Sequence, residues 1–312
     1  MNALRAFFAG LMSTAPRPTS LVERPRIQNT SITLASPEHN PEESLHGETT
    51  ETEFAKACAD FAAGFALWPL WVQLGWNDIL QRYRRSLLGP FWLTASMAVM
   101  VITLGVLYAT IFRTSIDEFL PFLCVGLLLW TFLSSFFLEG GTLFIGAETY
   151  IKQVRLPFSV YVYRSSWSKL VILIHNFVIY FGVLLYFRIW PGAVGLLAIP
   201  GLLVVVINGA LATLCIGIVS ARFRDIPQIV SSIVQIVFFV TPIMWKPELL
   251  HDRSYIVAAN PFFHLIDVVR SPLLGLLPSL TSYLAVLLIT LVNAAVSLVL
   301  FTRFRSRIAY WI

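Results

Sequence analysis

Few side chains of this 312-residue sequence are placed to do chemistry. The carboxylates in or near its long apolar runs are Asp117, Glu118, Glu139 and Asp225, all at the predicted ends of those runs. A proton-driven pump is expected to carry ionisable groups inside its spans. His175 is the sole candidate there, with Asn176 beside it. The pair is read as a hydrogen-bonding contact between helices, with a proton relay as the alternative. Cys58, Cys124 and Cys215 have no metal-site or disulfide spacing, and the latter two sit in apolar runs as small hydrophobes. No GxxxxGK[ST] motif occurs, so the chain lacks that device for cradling a nucleotide phosphate. No catalytic, cofactor or metal site is therefore expected, and ATP-driven transport would place ATP on another subunit.

The composition points to a membrane. Hydrophobic residues make up 57% and charged residues 12%, with a mean hydropathy of +0.76. Soluble domains carry about a quarter charged residues, so the chain lacks the polar surface to cover a globule of this length. The 14% aromatic content fits, because Trp and Tyr gather at bilayer interfaces. Residues 1–53 hold four Arg and seven Glu, a net of −3, against an overall +5. No basic and aromatic nucleic-acid module is present.

The elements that must position any functional group follow from periodicity. Residues 1–53 form an acidic tail rich in Ser, Thr, Pro and Glu and are expected to be disordered. Its start, MNALRAFFAGLM, is read as a short interfacial anchor or frayed terminus, with a cleaved signal as the alternative. Residues 54–90 contain an amphipathic stretch, 67–87. Val72, Trp76, Ile79, Leu80, Tyr83 and Leu87 recur at helical spacing opposite Asn77, Asp78, Gln81, Arg84 and Arg85. Such a helix lies in the membrane interface, with Trp76 at headgroup depth and Arg82, Arg84 and Arg85 toward anionic headgroups. The alternative is an amphipathic helix packed on its own protein.

Spanning a bilayer takes about 20 apolar residues. Six spans are expected: Phe91–Phe112, Phe119–Leu138, Leu170–Phe187, Ala193–Val219, Ile226–Trp245 and Tyr283–Phe301. With the amino terminus inside, the inner segments hold twelve Lys and Arg and the outer segments five. This positive-inside bias places both termini in the cytoplasm. The fold expected is all-α and integral to the membrane, with an amino-terminal interfacial helix and six spans over 91–312.

Three loops stand out. The inner segment 139–169 contains Glu148-Thr149-Tyr150-Ile151-Lys152 ahead of Arg155. It reads either as a docking helix for a cytosolic partner or as an interfacial helix touching only headgroups. The tight inner turn 222–227 has Asp225 placed to cap the next helix. The outer segment 246–282 carries apolar pieces too short to span, as re-entrant helices buried in protein would. The preceding span is expected to exit at Trp245, with Pro242 in its last turn.

Taken together, RYRRSLLGPFW (82–92), IKQVRLP (151–157), ARFRDIPQIV (221–230), TPIMW (241–245) and NPFFHLIDVVRSPLLG (260–275) resemble the permease subunit of polysaccharide-exporting ABC transporters. That family exports O-antigen, capsule or teichoic acid chains, and the resemblance covers roughly residues 65–312. It implies a homodimer in the bacterial inner membrane, bound to two copies of a separate ATPase that carries ATP and Mg. It also implies a coupling helix around Glu148, Tyr150, Lys152 and Arg155. The implied outer gate of paired re-entrant helices involves Pro242, Trp245, Asn260, Pro261 and Arg270. Two features depart from the family: Phe158-Ser159 stands where many relatives have Arg-Glu, and the acidic tail has no counterpart.

A lipid-linked polysaccharide needs a protein-lined path for its sugars while its lipid rides at the margin. Aromatic rings suit that path, and the candidates are Tyr108, Trp130, Phe136, Phe137, Phe238, Phe239, Phe262 and Phe263. Lipid contact or core packing is the alternative for each. An ABC permease for small drugs or lipids shares this architecture, whereas a membrane-embedded transferase would need a clustered acid–base or metal site.

Overall fold

The computed structural model describes residues 53–82, 91–247 and 255–312, and among them every regular element is helical. In chain order these are α1 (Glu53–Ala66), α2 (Trp68–Arg82), α3 (Phe91–Phe112), α4 (Ile116–Gly140), α5 (Glu148–Gln153) and α6 (Ser159–Phe187). Then follow α7 (Ala198–Arg222), α8 (Ile226–Val240), α9 (Tyr255–Ala258), α10 (Pro261–Leu273) and α11 (Leu280–Trp311). Short 3-10 turns, Ile145–Ala147 and Gly192–Leu197, lead into α5 and α7. The expected acidic tail, apart from Glu53, and the interfacial anchors Arg84 and Arg85 lie outside the described residues. Arg82 is described only as the backbone end of α2.

Among the described residues, α3, α4, α6, α7 with its lead-in, and α11 are long and apolar enough to cross a membrane. A helix satisfies its own backbone polar groups, so each long apolar run can fold as one unbroken rod where no water is present. The chain is thus an all-α, multi-pass membrane protein. Its innermost rod is α4, which packs against α3, α6, α7, α8 and α10 and is largely enclosed by them. The α7–α11 pair is joined by polar groups at several levels. Asn208 donates to Thr290 at 2.8 Å, Asn293 donates to the Asn208 carbonyl at 2.9 Å, and Ser297 donates to the Leu211 carbonyl at 3.2 Å. Such bonds join helices where surrounding lipid removes the hydrophobic drive for association.

Several boundaries correct the sequence expectation. The third span begins at Ser159, eleven residues earlier than expected, and runs for 29 residues. Within its polar first turns, Ser166 and Ser168 satisfy their hydroxyls on the Val162 and Arg164 carbonyls. Further along, Asn176 is buried and accepts from Thr94 of α3 at 3.3 Å, the interhelical contact expected of it.

The fifth expected span is shorter than expected, with only 15 residues helical. Thr241 is extended (φ −83°, ψ 132°), as the residue before a proline prefers. Pro242 therefore follows the helix and does not lie in its last turn. Asp225 occupies the N-cap position of α8, but its side chain makes no capping bond; its carbonyl accepts from Gln228 and Ile229.

The amphipathic stretch is the second half of a bent pair, α1 and α2, which meet at 69°. Pro69 lacks the N–H that a continuous helix would donate to Phe65, and this breaks the rod at Leu67. Gly75 and Ile79 of α2 are buried, while Trp76 is exposed. Asp78, read as part of the outward polar side, instead pairs with Arg164 of α6.

Candidate functional site

At one end of the bundle the chain leaves α4, makes the 3-10 turn, and forms the six-residue α5 with none of its residues buried. Tyr150 is 54% exposed, and Lys152 and Arg155 are exposed beside it. Lys152 donates to Glu148 at 2.7 Å, four residues apart. That bond and the ammonium charge, with a smaller contribution from Arg224, hold the Glu148 carboxyl below its ordinary pKa. Arg224 belongs to the α7–α8 turn, so this turn and α5 share one end, where Phe223 is also exposed.

Charged pairs join the helices around this end. The Lys169 side chain is 2% exposed and donates to Glu139 at 2.8 Å and to the Ser165 hydroxyl, tying the last turn of α4 to α6. Its ammonium also stands 5.1 Å from the centroid of the Phe136 ring. Arg164 holds Asp78 of α2 through both Nε and Nη2. Between α2, the end of α4, residues 142–147 and α6 lies a cavity of ≈ 570 Å³, lined by Asp78, Gln81, Glu139, Arg164 and Ser165. The four sequence-predicted coupling residues thus lie together on and just after one short, exposed helix, at the end where ion pairs join α2 and α4 to α6. Sequence reasoning missed Lys169–Glu139, Arg164–Asp78 and Asp60, which α1 brings to this same end.

Five of the aromatic candidates form a continuous chain. Phe238 and Phe239 of α8 touch at 5.3 Å between ring centroids, and Phe238 meets Trp130 of α4 at 5.5 Å. Trp130 meets Phe262 of α10 at 5.9 Å, and Phe262 meets Phe137 at 5.2 Å. A cavity of ≈ 210 Å³ adjoins the chain, lined by Phe137, Phe262, Asn208 and Asn293 among others. Three candidates stand apart. Tyr108 stacks on Phe112 at 5.6 Å, and Phe263 lies against His264 and Arg270. Phe136 is 0% exposed, packed on Phe132 and Gly209, a site of core packing inside the protomer.

The expected outer-gate residues form a second cluster, at the opposite end of α4 from α5. Ile243 lies against Gly126, partway along α4, and Lys246 reaches Glu118 in the first turn of α4 at 3.5 Å. The stretch 241–246 therefore climbs beside α4 after α8 has ended. Asn260 meets it: its Nδ2 donates to Thr241 Oγ1 at 3.0 Å, and its Oδ1 caps α10 by accepting from Phe262 and Phe263. Pro261 follows as the first residue of α10, where its missing N–H costs nothing. From there α10 returns to the end of the bundle, where Leu273 accepts from Tyr180 at 2.6 Å. The chain thus turns at Asn260, beside the end of α8, and α10 runs back along α4 and α7.

Arg270, 3% exposed, donates to the Pro242 carbonyl at 2.8 Å and covers the Phe122 ring at 4.3 Å. Trp245 donates to the Phe239 carbonyl at 3.3 Å. Behind Arg270, Asp267 accepts from Ser271 and Ser282, and His264 contacts Ser282 and the Ala258 carbonyl. Ser282 stands between the histidine and the aspartate and is 0% exposed. In a hydrolytic triad the histidine is the middle member and the serine faces substrate. This network instead bonds α10 to the start of α11.

A bundle of long apolar helices, with an exposed short helix at one end and α10 folded back along it toward the other, is the architecture of a multi-pass membrane protein. Residues 69–274 match the ABC-2 type transporter family, and the chain belongs to it. It is similar to an O-antigen export system permease protein RfbA of Myxococcus xanthus, 26% identical over 205 residues, 63% of this chain and 77% of that protein. It is also similar to an O-antigen export system permease protein RfbA of Klebsiella pneumoniae, 24% identical over 250 residues, 78% of this chain and 95% of that protein.

Proposed function

We propose that this chain is the permease subunit of an ATP-driven exporter that carries a lipid-linked, O-antigen-like polysaccharide from the cytoplasmic to the periplasmic side of the bacterial inner membrane. The observation that carries the reading is the exposed helix α5 between α4 and α6, which Lys169–Glu139 ties together, in the bundle of an ABC-2 type transporter. The names of the relatives supply the cargo class. In this reading two permeases pair, each with one copy of a cytosolic ATPase that holds ATP and Mg. The arginine-rich end that bears α5 faces the cytoplasm, together with both termini, as the distribution of Lys and Arg supports. Closure of the ATPase pair pushes α5, and the bundle shifts between two packings. Sugars pass along aromatic rings such as those of the Phe239–Trp130–Phe262 chain, and the α10 cluster gates the exit. The test is co-purification with the partner ATPase, then ATP hydrolysis with and without lipid-linked glycan. Stable association and glycan-stimulated hydrolysis are expected; stimulation by a small drug or lipid alone would replace the cargo assignment.

A further inference from the structure

Asp60 of α1 is the most heavily engaged carboxylate among the described residues, and transport as proposed above gives it no role. Its side chain is 0% exposed. The backbone N–H groups of Phe158 and Ser159 donate to it at 3.2 and 3.0 Å, and the Ser159 hydroxyl lies 2.9 Å from Oδ1. The same carboxylate accepts from Nε of Arg305, on α11, at 2.8 Å.

Phe158 and Ser159 begin α6 directly after the coupling segment. N–H groups there have no partner within the helix, and the helix dipole favours an anion. Phe158, at the N-cap, offers no side-chain acceptor. The cap comes instead from a residue 98 positions away. Stability alone would be served by an Asp or Ser at the N-cap itself. The remote carboxylate does something a local cap could not: it binds a cation on a third helix.

The rest of α1 is shaped for that contact. A Cβ at Gly64 would overlap the Ser159 side chain, so only glycine lets α1 lie flush on the start of α6. On one side Tyr163 of α6 donates to the Phe61 carbonyl at 3.2 Å. On the other, the Phe61 ring packs on Phe301 of α11 at 5.0 Å. Both Asp60 and Arg305 lie outside the residues matched to the family.

We infer that Asp60 is a positioning residue for transport, a latch that makes the coupling segment and α11 move as one body. The inference rests on the permease reading. A push on α5 reaches Ser159 through the non-helical stretch Val154–Phe158. With the latch closed it passes through Asp60 and Arg305 into α11, and along the polar contacts of α11 into α7. With the latch open, the push is absorbed where α6 starts, leaving only the apolar packing of Ile151 near Phe301 and Ile308 to carry it toward α11.

Arg305→Gln opens the latch while leaving the Asp60 cap on α6 intact, and Arg307→Gln, an exposed neighbour, is the control. In proteoliposomes with the partner ATPase, Arg305→Gln should insert and bind ATPase normally. It should move about two- to thirtyfold less glycan per ATP hydrolysed, the range of mutations that weaken coupling between sites. Arg305→Lys, which keeps a cation, should fall between. A second readout does not depend on cargo: the distance between spin labels at Gln153 and Ala309, with and without ATP. It should stay constant in the wild type and change in Arg305→Gln. Equal glycan per ATP in Arg305→Gln and Arg307→Gln overturns the latch, as does the same label movement in wild type and Arg305→Gln. A loss of export matched by lost insertion or ATPase binding would make the Asp60–Arg305 pair an ordinary structural contact, which also overturns it. If the wild-type complex moves no glycan, the permease reading fails, and the label distances still decide the latch.

Discussion

Replacing Arg270 with Gln should free the outer segment from α10. In the structure the guanidinium donates to the Pro242 carbonyl at 2.8 Å and lies 4.3 Å from the Phe122 ring centroid, almost fully buried. Gln keeps part of the aliphatic stem but loses the charge and the reach. A hydrogen bond from a charged donor contributes about 1.5–3 kcal/mol. A desolvated cation–π contact adds about 0.5–2 kcal/mol. Together they predict that 241–246 loses roughly 2–4 kcal/mol of anchoring, since the two terms overlap at one buried site. Hydrogen exchange in nanodiscs reads this directly, because local opening sets the exchange of the amides it exposes. Amides of Ile243 to Lys246 and of the last turn of α10 should exchange about 30- to 1,000-fold faster, while α4 and α6 keep wild-type protection. If this cluster gates the exit as proposed, export by the complex should fall in rate. Arg270→Lys should lie between. Wild-type protection at 243–246 in Arg270→Gln would refute the reasoning.

Glu148→Lys combined with Lys152→Glu keeps the ion pair within α5 but reverses the charge pattern shown to the partner. Normal insertion with loss of export and of ATPase binding is expected; normal export would remove α5 from the coupling role. Gly209→Ala drives a Cβ into the Phe136 ring and should destabilise the protein by about 1–3 kcal/mol, with Phe136→Leu restoring part of the loss, as thermal unfolding in detergent would show. The lowered Glu148 pKa means the contribution of its pair with Lys152 is complete above the ordinary carboxylate pKa and is lost as pH falls through the lowered value. In Lys152→Gln the Glu148 titration, followed by NMR of the labelled carboxyl, should move back up, and an unmoved titration would contradict the assigned cause.

Much of the fold was legible because apolar length is a local property. Phe91–Phe112 is one helix in both the expectation and the structure, and α4, α7 and α11 differ from it only in where they start and stop. Boundaries failed where a polar run remained helical, as at Ser159–Lys169, or where one residue stopped a helix early, as Pro242 does through Thr241. That residues 148–155 form one exposed segment was legible because they are contiguous. The charged pairs around that end were not, since Lys169 finds Glu139 30 positions away, Arg164 finds Asp78 86 away, and Arg305 finds Asp60 245 away. Asp60 gave no local sign beyond being a carboxylate in an Ala-rich stretch. Gly64, one turn later, carried the complementary sign of a close approach, which has meaning only once Ser159 is beside it. The aromatic candidates divided for a similar reason. Phe136 and Phe137 are neighbours in sequence, yet one faces Gly209 inside the protomer and the other joins the chain through Phe262.

The most direct test of the account is transport itself. The chain and its partner ATPase, reconstituted in proteoliposomes with lipid-linked glycan on the ATPase side, should deliver sugar to the lumen when ATP is added. Delivery should stop when the ATPase is made unable to hydrolyse ATP. Sugar reaching the lumen at the same rate without ATP, or none reaching it while the complex is intact and hydrolysing, would contradict the account.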